Sequence, residues 1–436
     1  MNVSDSERIA GLLEKYGFKK ASDIKKADLA VFNTCGVRQM AEDRVYGQAY
    51  NLVAQNVERG RQKIRRKIIL TGCLAHRKDV QRRLKDKVDL FIDIKDLTNS
   101  NAFRKMFFKE VDINCDRNSY QLANYLNIKP RHNLKHTAYV PIMTGCNNFC
   151  SYCVVPYARG RETSRPANEI LKEVKRLVGT GYKEIVLLGQ NVNSYHGTYS
   201  IEHETKSINF SELLRKINFI PGNFWISFVS NHPKDFSDEL IETATKLKKI
   251  CEYIHLPIQA GDDKILEKMN RKYTSKQYLK LIDKIRKSFK KYKPGKLYSI
   301  TSDIIVGFPG ETKRQFLESA KIMEKVRYDM VYFGQFSSRP ETAAWKMKDN
   351  VSKKEKSRRE KYLNEILKKT SLENNKKYLN KTVEVLIDKE KDGFYFGRTR
   401  TMKNVKIISG KKNLVGKIVK VKVAKANIWN LGATIK

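Results

Sequence analysis

The chain has 436 residues, with 87 Lys+Arg against 47 Asp+Glu and a formal net charge of +40. That length divides into two or three domains, each able to bury a core, and an apolar fraction of 40% with 10% aromatics excludes a disordered basic tail. No apolar run reaches the ~18 residues of a membrane span and the start MNVSDSERIA carries no signal-peptide pattern, so a cytoplasmic protein is expected. Charge this positive nominates polyanions as partners, nucleic acid first and membrane second. Lysine is spread along the whole chain, however, so charge alone locates no site. Seven cysteines, an odd count in a reducing compartment, favour metal or redox chemistry over a disulfide framework.

The first hundred residues alternate helix and strand. SDSERIAGLLEKYGF is an amphipathic helix with Ser4 or Asp5 near its N-cap. ADLAVFNTCG, KIILTGCLA and VDLFIDI are strands, with AEDRVYGQAYNLVAQNVERGRQ a helix between the first two. Strands joined by helices imply a parallel α/β sheet, whose sites lie at the carboxyl ends of the strands. Cys35 and Cys73 fall there. Residues 1–130 are expected to form this N-terminal domain, closing with a polar, irregular connector.

Residues 131–370 resume the rhythm with six strands, TAYVPIM, EIVLLG, WISFV, YIHLPI, YSITSDIIVG and YDMVYFGQF. Six strand–helix units predict a partial TIM-like (β/α)6 barrel with its site at the C-terminal strand ends. Residues 371–436 change character to short alternating strands broken by Gly and Asn. They predict a small antiparallel β-barrel, OB-like in size. This stretch holds 16 Lys+Arg against five Asp+Glu, more than its share of the charge, on an aromatic-bearing β module suited to RNA. Arg398 and Arg400 are the expected phosphate contacts, with Lys403 beside them.

The strongest local signal is MTGCNNFCSYCVVPYARG, which places Cys146, Cys150 and Cys153 in a C-x3-C-x2-C loop after the first strand of the second region. Three thiolates within eight residues suit three corners of a [4Fe–4S] cubane, leaving one iron open to a ligand. Closed structural zinc needs four ligands, and no local residue supplies the fourth.

This spacing, with Tyr152 before the last cysteine, resembles the radical S-adenosylmethionine superfamily. The resemblance implies that S-adenosylmethionine binds the open iron and that its reductive cleavage yields a radical able to take an unactivated hydrogen. It implies cofactor contacts from Tyr152, from Gly189-Gln190-Asn191, from Ser230 and Gln259, and from Ile305 in the DIIVG segment. With NTC-x-VR at Cys35, TGC-x-A at Cys73 and the basic barrel, the whole chain resembles the methylthiotransferase family. In that family the N-terminal domain holds a second [4Fe–4S] cluster through three cysteines, and the barrel is an RNA-binding TRAM domain. GQNVNSYHG, SNHPKDFSDELIE, HLPIQAGDDKILEKMNRKYT and GRTRTMKNV are most similar to the branch that methylthiolates N6-isopentenyladenosine in tRNA. Threonylcarbamoyladenosine tRNA is the alternative substrate, and an RNA-binding protein with a defective auxiliary cluster the alternative class. An electron donor such as flavodoxin or ferredoxin and iron–sulfur assembly proteins are implied partners; a membrane is not.

One departure concerns the auxiliary site. Family members carry a strand ending in a cysteine just ahead of the segment matched by MNVSDSERI. A late-assigned start is therefore expected. Cys35 and Cys73 alone would make a labile or incomplete second cluster, giving S-adenosylmethionine cleavage with little methylthiolation. Cys115 and Cys251 are expected to be bystanders.

Overall fold

The computed structural model describes residues 1–36, 39–59, 66–97, 102–103, 106, 125–201 and 204–435. Its N-terminal sheet joins β1 (Leu29–Thr34), β2 (Lys67–Gly72) and β3 (Leu90–Phe91) in parallel, in that order. Helices Gln39–Arg59 and Lys78–Leu84 bury Val45, Ala49, Leu52, Val80 and Leu84 against Ile68 and Leu70. Helix Asn2–Lys15 sends Ile9 and Leu12 to a second cluster with Ile69 and Leu126. That helix also reaches the next domain. Arg8 meets Glu173 at 3.4 Å and Arg159 meets Asp5 at 2.6 Å, with Arg8, Arg159 and Asp5 buried and Glu173 half-buried.

The second region is the expected arc of six parallel barrel strands. β4 (Thr137–Pro141) is followed by the short pair β5 (Met143–Thr144) and β6 (Thr163–Ser164), then by β7 (Glu184–Leu188). An antiparallel hairpin of β8 (His196–Ile201) and β9 (Glu204–Asn209) comes next, and is absent from the sequence reading. β10 (Trp225–Phe228), β11 (Tyr253–His255), β12 (Ser299–Val306) and β13 (Met330–Gln335) complete the arc. β10-β7-β4 and β11-β12-β13 are parallel sheets, and a bridge from Ile226 to Ile250 links them. Every residue of β7 is buried, as expected for a strand covered on both faces. Helix Ser275–Tyr292 shows why the outer layer forms. Thr274 and Gln277 make a capping box, and Tyr278, Ile282, Ile285 and Phe289 line one buried stripe.

Helix Lys353–Lys376 runs across the boundary drawn at residue 370, and its last turns dock on the final domain through Ser371 and Asn375, which donate to Ile428 O. That domain is a closed five-stranded barrel of β14 (Thr382–Lys391), β15 (Phe394–Thr399), β16 (Asn404–Ile408), β17 (Ile418–Ala426) and β18 (Leu431–Thr434). The expectation of an antiparallel barrel needs one correction: β16 and β18 pair in parallel, which closes the sheet in the order β14-β15-β16-β18-β17. No helix among the described residues is long and apolar enough to cross a membrane.

Candidate functional site: two cysteine sets and a polar rim

The C-x3-C-x2-C loop begins where β5 ends. Gly145 has φ +80°, and a Cβ there would lie 2.0 Å from Arg161 O, so only glycine lets the chain turn. Cys153 N–H donates to Cys150 O at 2.9 Å, which coils the second half of the loop. A clamp from residues 268–270 holds it from outside. Ser151 Oγ donates to Lys268 O at 2.7 Å, Ser151 N–H to Met269 O at 3.0 Å, and Asn270 Nδ2 to Phe149 O at 2.9 Å.

Two polar side chains point at the sulfurs. Asn148 Nδ2 approaches Cys146 Sγ at 3.6 Å, and an Arg271 terminal nitrogen approaches Cys150 Sγ at 3.4 Å. Burial pushes the Cys153 thiol up to about 12, with Cys150 and Cys146 nearby adding to the shift. A thiol raised in this way by burial, as Cys153 is, ionises only against a cation. Among the described residues no three His, Cys, Asp or Glu side chains converge on a single ion. Three cysteines without a fourth local ligand suit a cubane, where each thiolate takes its own iron at a separate corner, better than closed zinc.

Cys35 and Cys73 follow β1 and β2, whose ends pair as Thr34 with Gly72. Cys73 N–H donates to Thr34 O at 3.0 Å. A Cβ on Gly36 would lie 3.0 Å from Cys73 Cβ and 3.4 Å from Val154 Cγ2. The ends of the N-terminal strands therefore abut the loop of the neighbouring domain. A narrow cavity beside Cys73 is lined by Gly72, Asp93, Lys95, Thr144 and Arg159. Cys251 is elsewhere, buried with Trp225 and Leu386 against the small barrel. Cys115 lies outside the described residues.

The expected cofactor residues share one rim of the large barrel. Tyr152 and Ile305 both pack on the barrel core. Gly189 follows β7, and a Cβ there would meet Met143 Cγ at 2.6 Å. Ser230 and Gln259 both take positive φ, 69° and 75°, a strained choice for non-glycine residues at strand ends. Gln259 is held there by Asp303 O and by Ile305 N–H, each at 2.9 Å. Gln190 Oε1 and Asn191 Oδ1 are buried without a protein partner.

Three neighbours missed in the sequence reading join them: Asn193 Nδ2, Asn231 Oδ1 and His232 Nε2 are likewise unpartnered. Burial, with Arg271 and Lys234 nearby, pushes the His232 pKa down to about 2, so its ring is neutral. Lys234 N–H donates to its Nδ1 at 3.2 Å, which puts the ring proton on Nε2. Each such orphaned atom costs about 1–3 kcal/mol, so a group of them at one rim marks a place where a polar ligand completes the bonding. The only sequence signal for Asn231 and His232 was their place in the SNHPKDF segment.

The basic residues assigned to RNA require a correction. Arg398 is paired with Asp388 at 2.9 Å and with Glu184 of β7 at 3.0 Å. Arg400 is paired with Glu252 at 2.8 Å and lies over the Trp225 ring. Lys403 is paired with Asp329 at 2.7 Å. All three fasten the small barrel to the large one and present no free charge to a phosphate. The outward face of β14, β15 and β16 carries a different basic set. Lys389, Phe396 and Lys406 stand side by side across the three strands, and Lys406 covers the Phe394 ring at 3.5 Å.

Three family models match the chain: the radical SAM superfamily over residues 140–323, the uncharacterized protein family UPF0004 over 1–93, and the TRAM domain over 376–436. A tRNA-2-methylthio-N(6)-dimethylallyladenosine synthase of Thermoanaerobacter sp. (strain X514) is 42% identical over 440 residues, covering 99% of this chain and 89% of the relative. The synthase of the same name from Clostridium botulinum (strain Hall) is 39% identical, covering 99% and 94%. Among solved structures, the radical S-adenosylmethionine methyltransferase TsrM from Kitasatospora setae aligns with TM-score 0.49 at 14% identity, over 79% of this chain and 72% of that one.

Proposed function

The chain belongs to the family of tRNA-2-methylthio-N(6)-dimethylallyladenosine synthases, and we propose that it performs their reaction, placing a methylthio group on C2 of N6-isopentenyladenosine at tRNA position 37. One observation carries this reading furthest: two sets of cysteines, from different domains, lie at one junction, where Gly36 sits against both Cys73 and Val154, the residue after Cys153. A single radical cluster needs one set; adding sulfur as well as abstracting hydrogen calls for two.

Cys146, Cys150 and Cys153 are the ligands of the radical cluster in this reading, and Cys35 and Cys73 belong to the second cluster. A [4Fe–4S] cluster with S-adenosylmethionine supplies radical chemistry, which the adenine C2–H needs because it has no acidity to exploit. The chain's own groups bind and orient. Tyr152, Gly189, Gln190, Asn191, Ser230, Gln259 and Ile305 line the cofactor, and the neutral His232 offers an N–H donor with no charge to disturb a radical. The TRAM barrel grips RNA by Lys389 and Lys406, with Phe394 and Phe396 as stacking surfaces between them. Flavodoxin or ferredoxin donates the electron, and iron–sulfur assembly proteins load the clusters.

The test is modified-nucleoside mass spectrometry on tRNA from a host lacking its own enzyme and expressing this chain. The 2-methylthio nucleoside is expected. Unmodified isopentenyladenosine alone, from folded and iron-loaded protein, would reject the assignment.

A further inference from the structure

Arg271 follows the short helix Asp263–Lys268 and is 7% exposed. Its Nε donates to Tyr273 Oη at 2.9 Å, one terminal nitrogen to Cys150 Sγ at 3.4 Å and the other to Pro257 O at 3.1 Å. None of these partners is a carboxylate. Four other buried arginines differ in having a carboxylate partner: Arg8 meets Glu173, Arg77 meets Glu42, Arg159 meets Asp5 and Arg359 meets Glu311. No ion pair joins Arg271 to an Asp or Glu among the described residues. A guanidinium does not shed its proton on burial, so its charge must face an anion or go uncompensated. The atom available to bear that charge is the sulfur of Cys150.

We propose that Arg271 is a positioning residue that supplies the counter-charge of the cluster held by Cys146, Cys150 and Cys153. It holds the Cys150 sulfur by a charged hydrogen bond and stabilises the reduced, more negative state. Hydrogen bonds to sulfur and local net charge are the groups' main levers on cluster potential. The same residue links the loop to the polar rim, since Tyr273 stands edge-on to His232 with ring centroids 5.7 Å apart. The inference rests on the cluster assignment made above.

The measurement is an EPR-monitored redox titration of the reconstituted full chain, following the cluster signal that added S-adenosylmethionine perturbs. Arg271→Gln keeps hydrogen-bond donors and removes the charge; Arg271→Lys keeps the charge. The Gln variant should disfavour reduction about tenfold, a shift of about 59 mV to more negative potential for one electron, and the Lys variant should stay close to the parent. A Gln variant that loads iron and keeps the parent potential overturns the proposal. If Gln folds but loses its cluster while Lys retains one, the charge is needed and the proposal stands. If the Gln variant does not fold, the Lys variant decides: recovery of fold, iron and potential supports the charge role, and failure of Lys as well overturns it. A parent protein with no such signal at all would instead reject the cluster assignment.

Discussion

Gly145 and Arg398 show what single residues decide in this molecule. At Gly145 the chain needs a left-handed turn and has no room for a side chain, because Arg161 O stands where Cβ would be. Gly145→Ala should therefore destabilise the protein by about 2 kcal/mol or more, and iron content after reconstitution should fall with it. Full iron and an unchanged melting temperature would show that the loop has another way to turn. Arg398 is a structural ion-pair partner, and the free charge lies at Lys406. Removing Lys406 should weaken tRNA binding and reduce the slope of affinity against salt by about one. Removing Arg398 should lower the melting temperature and leave that slope unchanged; the reverse pattern in a filter-binding series would return RNA contact to Arg398. Charge is visible in a sequence, but its pairing is not: besides the nearby Asp388, the Arg398 partner Glu184 lies 214 residues away. The cysteine loop is legible because its three thiols are local and their spacing is the signal itself.

The six barrel strands are apolar-rich segments, and each appears where the sequence put it, from β7, buried at every residue, to β13, which is partly exposed. The β8–β9 hairpin escaped because most of its residues are exposed and polar, so no apolar alternation marks it. The parallel closure of β16 with β18 escaped because pairing partners are set by the barrel as a whole and not by either strand. Docking of the small barrel is an element-scale property with a pH signature. Burial alone would raise the Glu252 pKa, but Arg400 and Lys293 more than offset this and hold it below its ordinary 4.5. A depressed carboxylate contributes stability that is present above its unfolded pKa and is lost as pH falls through the folded value. The melting temperature of the iron-free protein should therefore drop as pH falls below 4.5. Glu252→Gln should flatten that part of the profile, and an identical profile in the variant would remove the pair from the docking energy.

At the scale of the whole molecule, the large barrel joins the other two domains at different ends. The N-terminal sheet turns Cys35 and Cys73 toward the radical loop, buried ion pairs lock the first helix onto the large barrel, and salt bridges fasten the RNA-binding barrel at its other side. The two cysteine sets should then be separable in function. The most direct measurement is one anaerobic reaction with tRNA, S-adenosylmethionine and reductant, read for both 5′-deoxyadenosine and the 2-methylthio nucleoside. Cys150→Ala should lose both products, and Cys73→Ala should keep forming 5′-deoxyadenosine while losing the methylthio product. Methylthio product retained by Cys150→Ala, or loss of 5′-deoxyadenosine in an otherwise folded Cys73→Ala, would contradict the division of labour between the two sites.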